Sequence, residues 1–210
     1  MTPDPMFLKV CGITRLTDAR HAVGEGATAL GFVFWPRSPR YVAPARAAEI
    51  IAELPSDVMA VGVFVNEPVD GIRSVAAQAR LSAVQLHGDE PPAYANALAW
   101  PIFRAVTLET ASDACSAWAP EATLLLDAAD PERRGGTGIT VDWPRAASLA
   151  RERRVVLAGG LTPATVGEAI ATVRPYGVDV SSGVEESPGV KDFTKVAQFL
   201  ASAREAFERR

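Results

Sequence analysis

Short apolar runs alternate with amphipathic stretches along the whole chain. Runs rich in β-branched residues predict strands over residues 7–11, 29–34, 59–65, 83–86, 102–106, 123–127, 155–158 and 178–181. Between them, the spacing of apolar positions predicts helices over 16–25, 44–54, 69–79, 92–99, 112–118, 143–153, 163–173 and 192–208. Three helices carry start signals: Thr14 or Thr17 before the first, Pro44 opening the second, and Thr162-Pro163 opening the seventh. The strands are apolar on both faces, as in a parallel sheet covered by helices.

Eight strand–helix pairs in succession predict one α/β domain over residues 6–210, a single (β/α)8 TIM barrel with short loops. Its length lies at the short end for that fold, which runs from about 200 to 400 residues. An open doubly wound sheet is the competing arrangement. No G-x-G-x-x-G follows the first strand, however, and the regular spacing offers no switch point. Residues 1–5 read as a short disordered leader without a basic region or apolar stretch.

Composition narrows the function. With 48% hydrophobic and 22% charged residues the chain reads as a globular domain with a substantial core. A net charge of -4 and a pI near 5.3 argue against a nucleic-acid partner. No apolar run is long enough to span a membrane. Only two cysteines, Cys11 and Cys115, and two histidines are present, too few and too scattered for a disulfide framework or a Cys/His metal site. Such cysteine usage fits the reducing cytoplasm.

Barrel active sites use the residues that follow each strand, so the strand ends locate the candidate chemistry. The first strand ends at Cys11, a side chain able to serve as base, nucleophile or metal ligand. Lys9 lies two residues earlier, on the same strand face, and an inward-facing Lys9 needs an anion such as Asp179. A working thiol needs its pKa lowered by such positive charge. Asp127 ends the apolar run Thr123-Leu-Leu-Leu126 and fits either a partly desolvated proton donor or a helix-capping or turn aspartate. Gly159-Gly160 after the seventh strand and Ser182-Gly183 after the eighth have the composition of a backbone phosphate cradle. Arg37 and Arg40 stand in a Pro-rich loop that could aim a guanidinium at a carboxylate, or lie on the surface. His87 alternates with Gln85 and fits a structural role as well as a catalytic one. Cys115 reads as an inert thiol on an outer helix.

These segments together resemble the phosphoribosylanthranilate isomerase family of tryptophan biosynthesis. The matching stretches are Lys9-Val-Cys-Gly-Ile-Thr14, Gly31-Phe-Val-Phe34 with Ser38-Pro-Arg-Tyr41, Val61-Gly-Val-Phe-Val-Asn66 and Val84-Gln-Leu-His-Gly88. They continue with Leu125-Leu-Asp127, Gly135-Gly-Thr-Gly138, Ala158-Gly-Gly-Leu161 and Val178-Asp-Val-Ser-Ser-Gly-Val-Glu185, running from the first strand to the last. The resemblance implies an aldose–ketose (Amadori) rearrangement of a phosphoribosyl substrate with no cofactor and no metal, in a cytoplasmic monomer or homodimer. It implies Asp127 as general acid and Cys11 as general base. Arg40 would hold the anthranilate carboxylate, His87 would face substrate, and the backbone at Gly159, Gly160, Ser182 and Gly183 would hold the phosphate. Two places depart from the family pattern: Ala128 stands where a hydroxyl residue is frequent, and Glu132-Arg-Arg134 is unusually charged. The histidine-pathway isomerase shares the phosphate loops but carries an aspartate where Cys11 stands. A non-catalytic phosphate-binding barrel would not need both Cys11 and Asp127.

Overall fold

The computed structural model describes residues 6–128 and 141–210. The leader expected over residues 1–5 and the loop segments Glu132-Arg-Arg134 and Gly135-Gly-Thr-Gly138 lie outside the described residues. The chain runs β1 (Phe7–Cys11), α1 (Leu16–Gly24), β2 (Ala29–Val33), α2 (Pro44–Ile51), β3 (Met59–Phe64) and α3 (Val69–Ala79). Next come β4 (Ala83–Leu86), α4 (Ala93–Ala97), β5 (Ile102–Val106), α5 (Ala111–Ala117), β6 (Thr123–Leu126) and α6 (Trp143–Glu152). The last part holds β7 (Val155–Leu157), α7 (Val166–Val173), β8 (Gly177–Val180), a 3-10 turn (Ser182–Val184), β9 (Glu185–Ser187), β10 (Val190–Lys191) and α8 (Phe193–Glu208).

Strands β1 to β8 pair in sequence order, and β8 pairs in parallel with β1, so the sheet closes on itself as a (β/α)8 barrel. Closure leaves no open edge among these strands. Both faces of each strand are buried, which is why the sequence reads as continuous apolar runs. Leu8, Val10, Leu30, Phe32, Leu124 and Leu126 belong to the layer between barrel and helices. Alternate residues Phe7, Ala29, Val61, Ala83, Phe103 and Leu125 form the separate inner cluster. Phe7 stacks on Phe103 and on Tyr176, with ring centroids 5.2 and 5.7 Å apart, and fills the lower end of the barrel. The same two-residue period brings Lys9, Cys11, Gln85 and Asp179 inside, above that plug.

Several boundaries differ from the pattern-based expectation. Phe34, Val65, Asp127, Ala158 and Ser181 lie just past the strands, and β8 gains Gly177, which pairs with Phe7. Neither Thr14 nor Thr17 caps α1. Its N-cap is Arg15, while the Thr14 hydroxyl donates to the Gly189 carbonyl at 2.6 Å. Pro44 does open α2, but α7 begins at Val166 rather than Pro163. The intervening residues form a turn in which the Thr162 N–H donates to Thr165 Oγ1 at 3.0 Å and the Thr162 carbonyl accepts the Val166 N–H at 3.0 Å, a capping-box-like lead into α7. The β9–β10 hairpin was not foreseen, although Pro188-Gly189 is a turn signal. Among the described residues, no helix is long and apolar enough to cross a membrane.

Candidate active site

Cys11, Asp127 and Ser181 occupy the carboxyl ends of β1, β6 and β8, where parallel strands deliver side chains to the barrel mouth. Cys11 is 8% exposed and packs beside Val33, Val63 and the half-buried Trp35. Opposite it on β2 stands Gly31, and a Cβ there would come within 2.6 Å of the Cys11 sulfur. A bare backbone at that register position therefore gives the thiol its space.

Beneath the thiol lies an ion pair. Lys9 is wholly buried, and its Nζ donates to Asp179 Oδ2 at 2.9 Å. This is the pairing the strand alternation suggested. Burial opposes the ammonium charge, but Asp179 and the neighbouring thiol outweigh it and raise Lys9 above its ordinary pKa. The thiol itself departs from expectation. Burial pushes Cys11 up, and the lowering from Lys9 and Lys191 only partly offsets that. Burial thus favours the thiol form of Cys11.

Gln85 and His87 both face inward, as their spacing predicted. The Gln85 amide donates to His87 Nδ1 at 2.9 Å, which leaves the ring proton on Nε2. Nε2 points at Asp127 Oδ2, 3.6 Å away. Burial, with Lys9 adding to it, pushes His87 down to about 4, so the ring is neutral at physiological pH. Asp127 is partly buried, and its Oδ1 accepts the Ala128 N–H at 2.8 Å. Asp127 therefore stands partly buried at the barrel mouth beside His87.

A cleft joins Asp127 to the two glycine-bearing segments; it is lined by Gly159, Gly160, Asp179, Ser181, Ser182 and Gly183 among others. Gly159 has φ +75°, and a Cβ there would sit 2.5 Å from the Ala128 nitrogen and 3.0 Å from Asp127 Oδ1. Only glycine suits that backbone and that approach. Arg40 also reaches the mouth, where Nε and Nη2 grip the Glu185 carboxylate at 2.9 and 2.7 Å. Arg37, by contrast, is exposed and lies over the Trp35 ring at 5.3 Å. Cys115 sits half-buried on α5, away from the mouth.

Two charged residues in this region escaped the sequence reading. Lys191 was not singled out at all, and Glu185 appeared only as the end of a motif. A lysine two residues after a Pro-Gly turn, beside a valine, is the one signal that marks Lys191. Glu90 was missed as well. Its buried carboxylate accepts the N–H groups of Asn66 and Gly88 at 2.7 and 2.8 Å and pairs with Arg104 at 2.9 Å, tying the turns after β3 and β4 together.

Fold and site together define an enzyme of the (β/α)8-barrel class, with a thiol, a carboxyl group and a glycine-lined cleft at the strand ends. The model of the N-(5'phosphoribosyl)anthranilate (PRA) isomerase family matches residues 8–202, and the chain belongs to that family. It is 47% identical over 199 residues to the N-(5'-phosphoribosyl)anthranilate isomerase of Geobacter metallireducens, covering 94% of this chain and 98% of that one. The enzyme of the same name from Citrifermentans bemidjiense is 48% identical over 198 residues, covering 94% of this chain and 96% of that one. Among solved structures, phosphoribosyl anthranilate isomerase from Thermotoga maritima superposes with a TM-score of 0.88 at 42% identity, covering 95% of this chain and 99% of that one. A phosphoribosyl anthranilate isomerase in complex with reduced 1-(o-carboxyphenylamino)-1-deoxyribulose 5-phosphate gives 0.85 at 40% identity, with the same coverage.

Proposed function

We propose that this protein is an N-(5'-phosphoribosyl)anthranilate isomerase of tryptophan biosynthesis. It converts that aminoaldose into 1-(2-carboxyphenylamino)-1-deoxyribulose 5-phosphate. The observation that carries the reading is the placement of Cys11 and Asp127 at one barrel mouth, beside the Gly159–Gly160 and Ser182–Gly183 segments, in a chain of this family.

In this reading Asp127 gives its proton to the ribose ring oxygen. The bond from that oxygen to C1 breaks, and a protonated Schiff base forms between C1 and the anthranilate nitrogen. Cys11 then removes the C2 proton, and the C2–H electron pair neutralises the iminium to give an enolamine. Tautomerisation of the enolamine yields the ketone. Substrate and product are isomers, so the steps balance without an oxidant or reductant. Backbone N–H groups at Gly159, Gly160, Ser182 and Gly183 hold the phosphate, and Arg40 faces the anthranilate carboxylate. His87, neutral with its proton on Nε2, orients the carboxyl of Asp127.

The raised pKa of Cys11 is compatible with its work as a base. The Schiff-base cation forms beside the sulfur and adds the positive charge that a buried thiolate requires. Cys11 acts there as the thiolate, its own proton having passed to solvent, and becomes the thiol on taking the C2 proton.

The protein is proposed to act in the cytoplasm as a monomer or homodimer, without nucleic acid, which light scattering of the purified protein would check. Turnover of freshly made phosphoribosylanthranilate, followed by loss of its fluorescence, tests the activity. Wild-type protein without turnover would overturn the reading. Cys11→Ser and Asp127→Asn are each expected to lose at least about a hundredfold in kcat, about 2.7 kcal/mol of barrier. Near wild-type kcat in either variant removes that residue from its role.

A further inference from the structure

Lys191, Glu185 and Arg40 form a buried ionic trio beside the Cys11 strand. Lys191 is 2% exposed, and its three N–H groups are all engaged. They meet the Cys11 carbonyl at 2.6 Å, the Ser181 carbonyl at 3.2 Å and Glu185 Oε1 at 2.9 Å. Lysine so fixed is a rigid charge bridging the ends of β1 and β8. It pins one carboxylate oxygen of Glu185, which also accepts the Gly189 N–H at 3.2 Å. That leaves the carboxylate a single orientation, facing Arg40.

Arg40 meets it side-on, through Nε and one N–H of Nη2. Its stem crosses Gly12, where a Cβ would lie 2.6 Å from Arg40 Cδ. Stem and guanidinium are thus both held. The two N–H groups of Nη1 and the second of Nη2 have no acceptor among the described residues. They form the end-on fork of the guanidinium, the edge that accepts a planar carboxylate with two parallel hydrogen bonds. The Arg40 side chain is 13% exposed, so it is largely enclosed but still partly open to solvent.

Charge completes the argument. An Arg40–Glu185 pair alone is neutral and attracts a second carboxylate weakly. With Lys191 protonated the trio carries one net positive charge, so Glu185 can orient Arg40 without cancelling it. Burial lowers Lys191 below its ordinary value, and the Glu185 carboxylate works against that. Burial by itself would raise the Glu185 carboxyl, but Arg40 and Lys191 hold it below its ordinary value, ionised at neutral pH.

We infer that Glu185 and Lys191 are positioning residues that fix the end-on edge of Arg40 for the aryl carboxylate of the substrate and keep that edge electropositive. The inference rests on the proposed role of Arg40, and the test separates the two.

Titration with reduced 1-(o-carboxyphenylamino)-1-deoxyribulose 5-phosphate, and with its phenylamino counterpart lacking the carboxyl, reads the preference for the carboxylate directly. Wild-type protein is expected to prefer the carboxylated ligand by at least about tenfold, and Arg40→Ala to abolish that preference. Glu185→Gln is expected to lower it by about tenfold while changing affinity for the phenylamino ligand less than about twofold. Lys191→Met is expected to lower it similarly. Glu185→Asp, which keeps the charge but withdraws it by one methylene, takes the place of Glu185→Gln if that variant does not fold. In the Arg40→Ala background, Glu185→Gln is expected to change the preference no further. A preference that survives Arg40→Ala overturns the role of Arg40 itself. A preference that Arg40→Ala abolishes but Glu185→Gln leaves intact or strengthens overturns the positioning role, because adding net positive charge would then be all that mattered.

Discussion

Cys11 sits between opposed influences. Burial favours the thiol, while Lys9 and Lys191 favour the thiolate, and burial prevails. If the thiolate form of free enzyme is the base, its fraction grows tenfold per pH unit below a raised pKa. The expected result is a kcat/KM that climbs through the alkaline range, about tenfold between pH 8 and 9, read from a pH–rate profile. A flat profile there would remove thiol ionisation from the rate. The ion pair below has a separate consequence for stability. Lys9→Met strands the buried Asp179 carboxylate, and breaking such a pair costs about 3–5 kcal/mol. For a chain of this size that lowers Tm by about 10 °C, and adding Asp179→Asn is expected to restore most of it in a thermal melt.

At the scale of elements, strands were more legible than the turns between them. The start and end of β1 and β4 follow directly from their runs, because both faces of those strands are buried, and β5 matches too although Arg104 and Ala105 are only half-buried. The exact entrance to α7 was not legible, since Thr162-Pro163 leads into a turn before the first helical residue, Val166. Nor was the β9–β10 hairpin, whose two short strands bury little apolar surface of their own. Helices α5 and α6 show a tie that no local pattern contains. Arg153, just past α6, donates to the carbonyls of Cys115, Trp118, Ala119 and Ala122 at 2.9, 3.3, 3.0 and 3.2 Å. These carbonyls lie at the end of α5 and the approach to β6, the face of the barrel remote from the mouth. Arg153→Met is expected to cost about 2 kcal/mol, a Tm loss of about 4–8 °C in the same melt, and to leave kcat and KM unchanged.

For the whole molecule, a single closed sheet makes every strand depend on the last. α8 covers the seam next to α1 and α7 and buries Val196, Phe199, Leu200 and Ala203. The three larger side chains alone contribute about 6 kcal/mol, comparable with the roughly 5–15 kcal/mol of an entire domain. Removing residues 193–210 is therefore expected to abolish the folded circular-dichroism signal and its cooperative melt. The barrel itself was readable because its period is local and repeated eight times. The site was readable only in part. Cys11, Asp127 and the glycine segments fall at strand ends, where a rule about barrels points to them. Lys191 and Glu185 meet Cys11 and Arg40 across long stretches of chain, and no spacing in the sequence encodes such a meeting.

The bond from Lys191 to the Cys11 carbonyl also sets an order of events during synthesis. The two residues are 180 positions apart. At about 5–20 residues per second, the ribosome makes the second roughly 10–35 seconds after the first. For most of that interval the sulfur has been translated but β8 has not, and Lys191 follows later still. A nascent chain thus carries its reactive thiol unshielded until nearly the end of translation, and an oxidant or alkylating agent would find Cys11 most readily there. Pulse-labelling of stalled chains with a thiol reagent is expected to modify Cys11 in chains ending before residue 177 and to spare it once the released protein has closed its barrel.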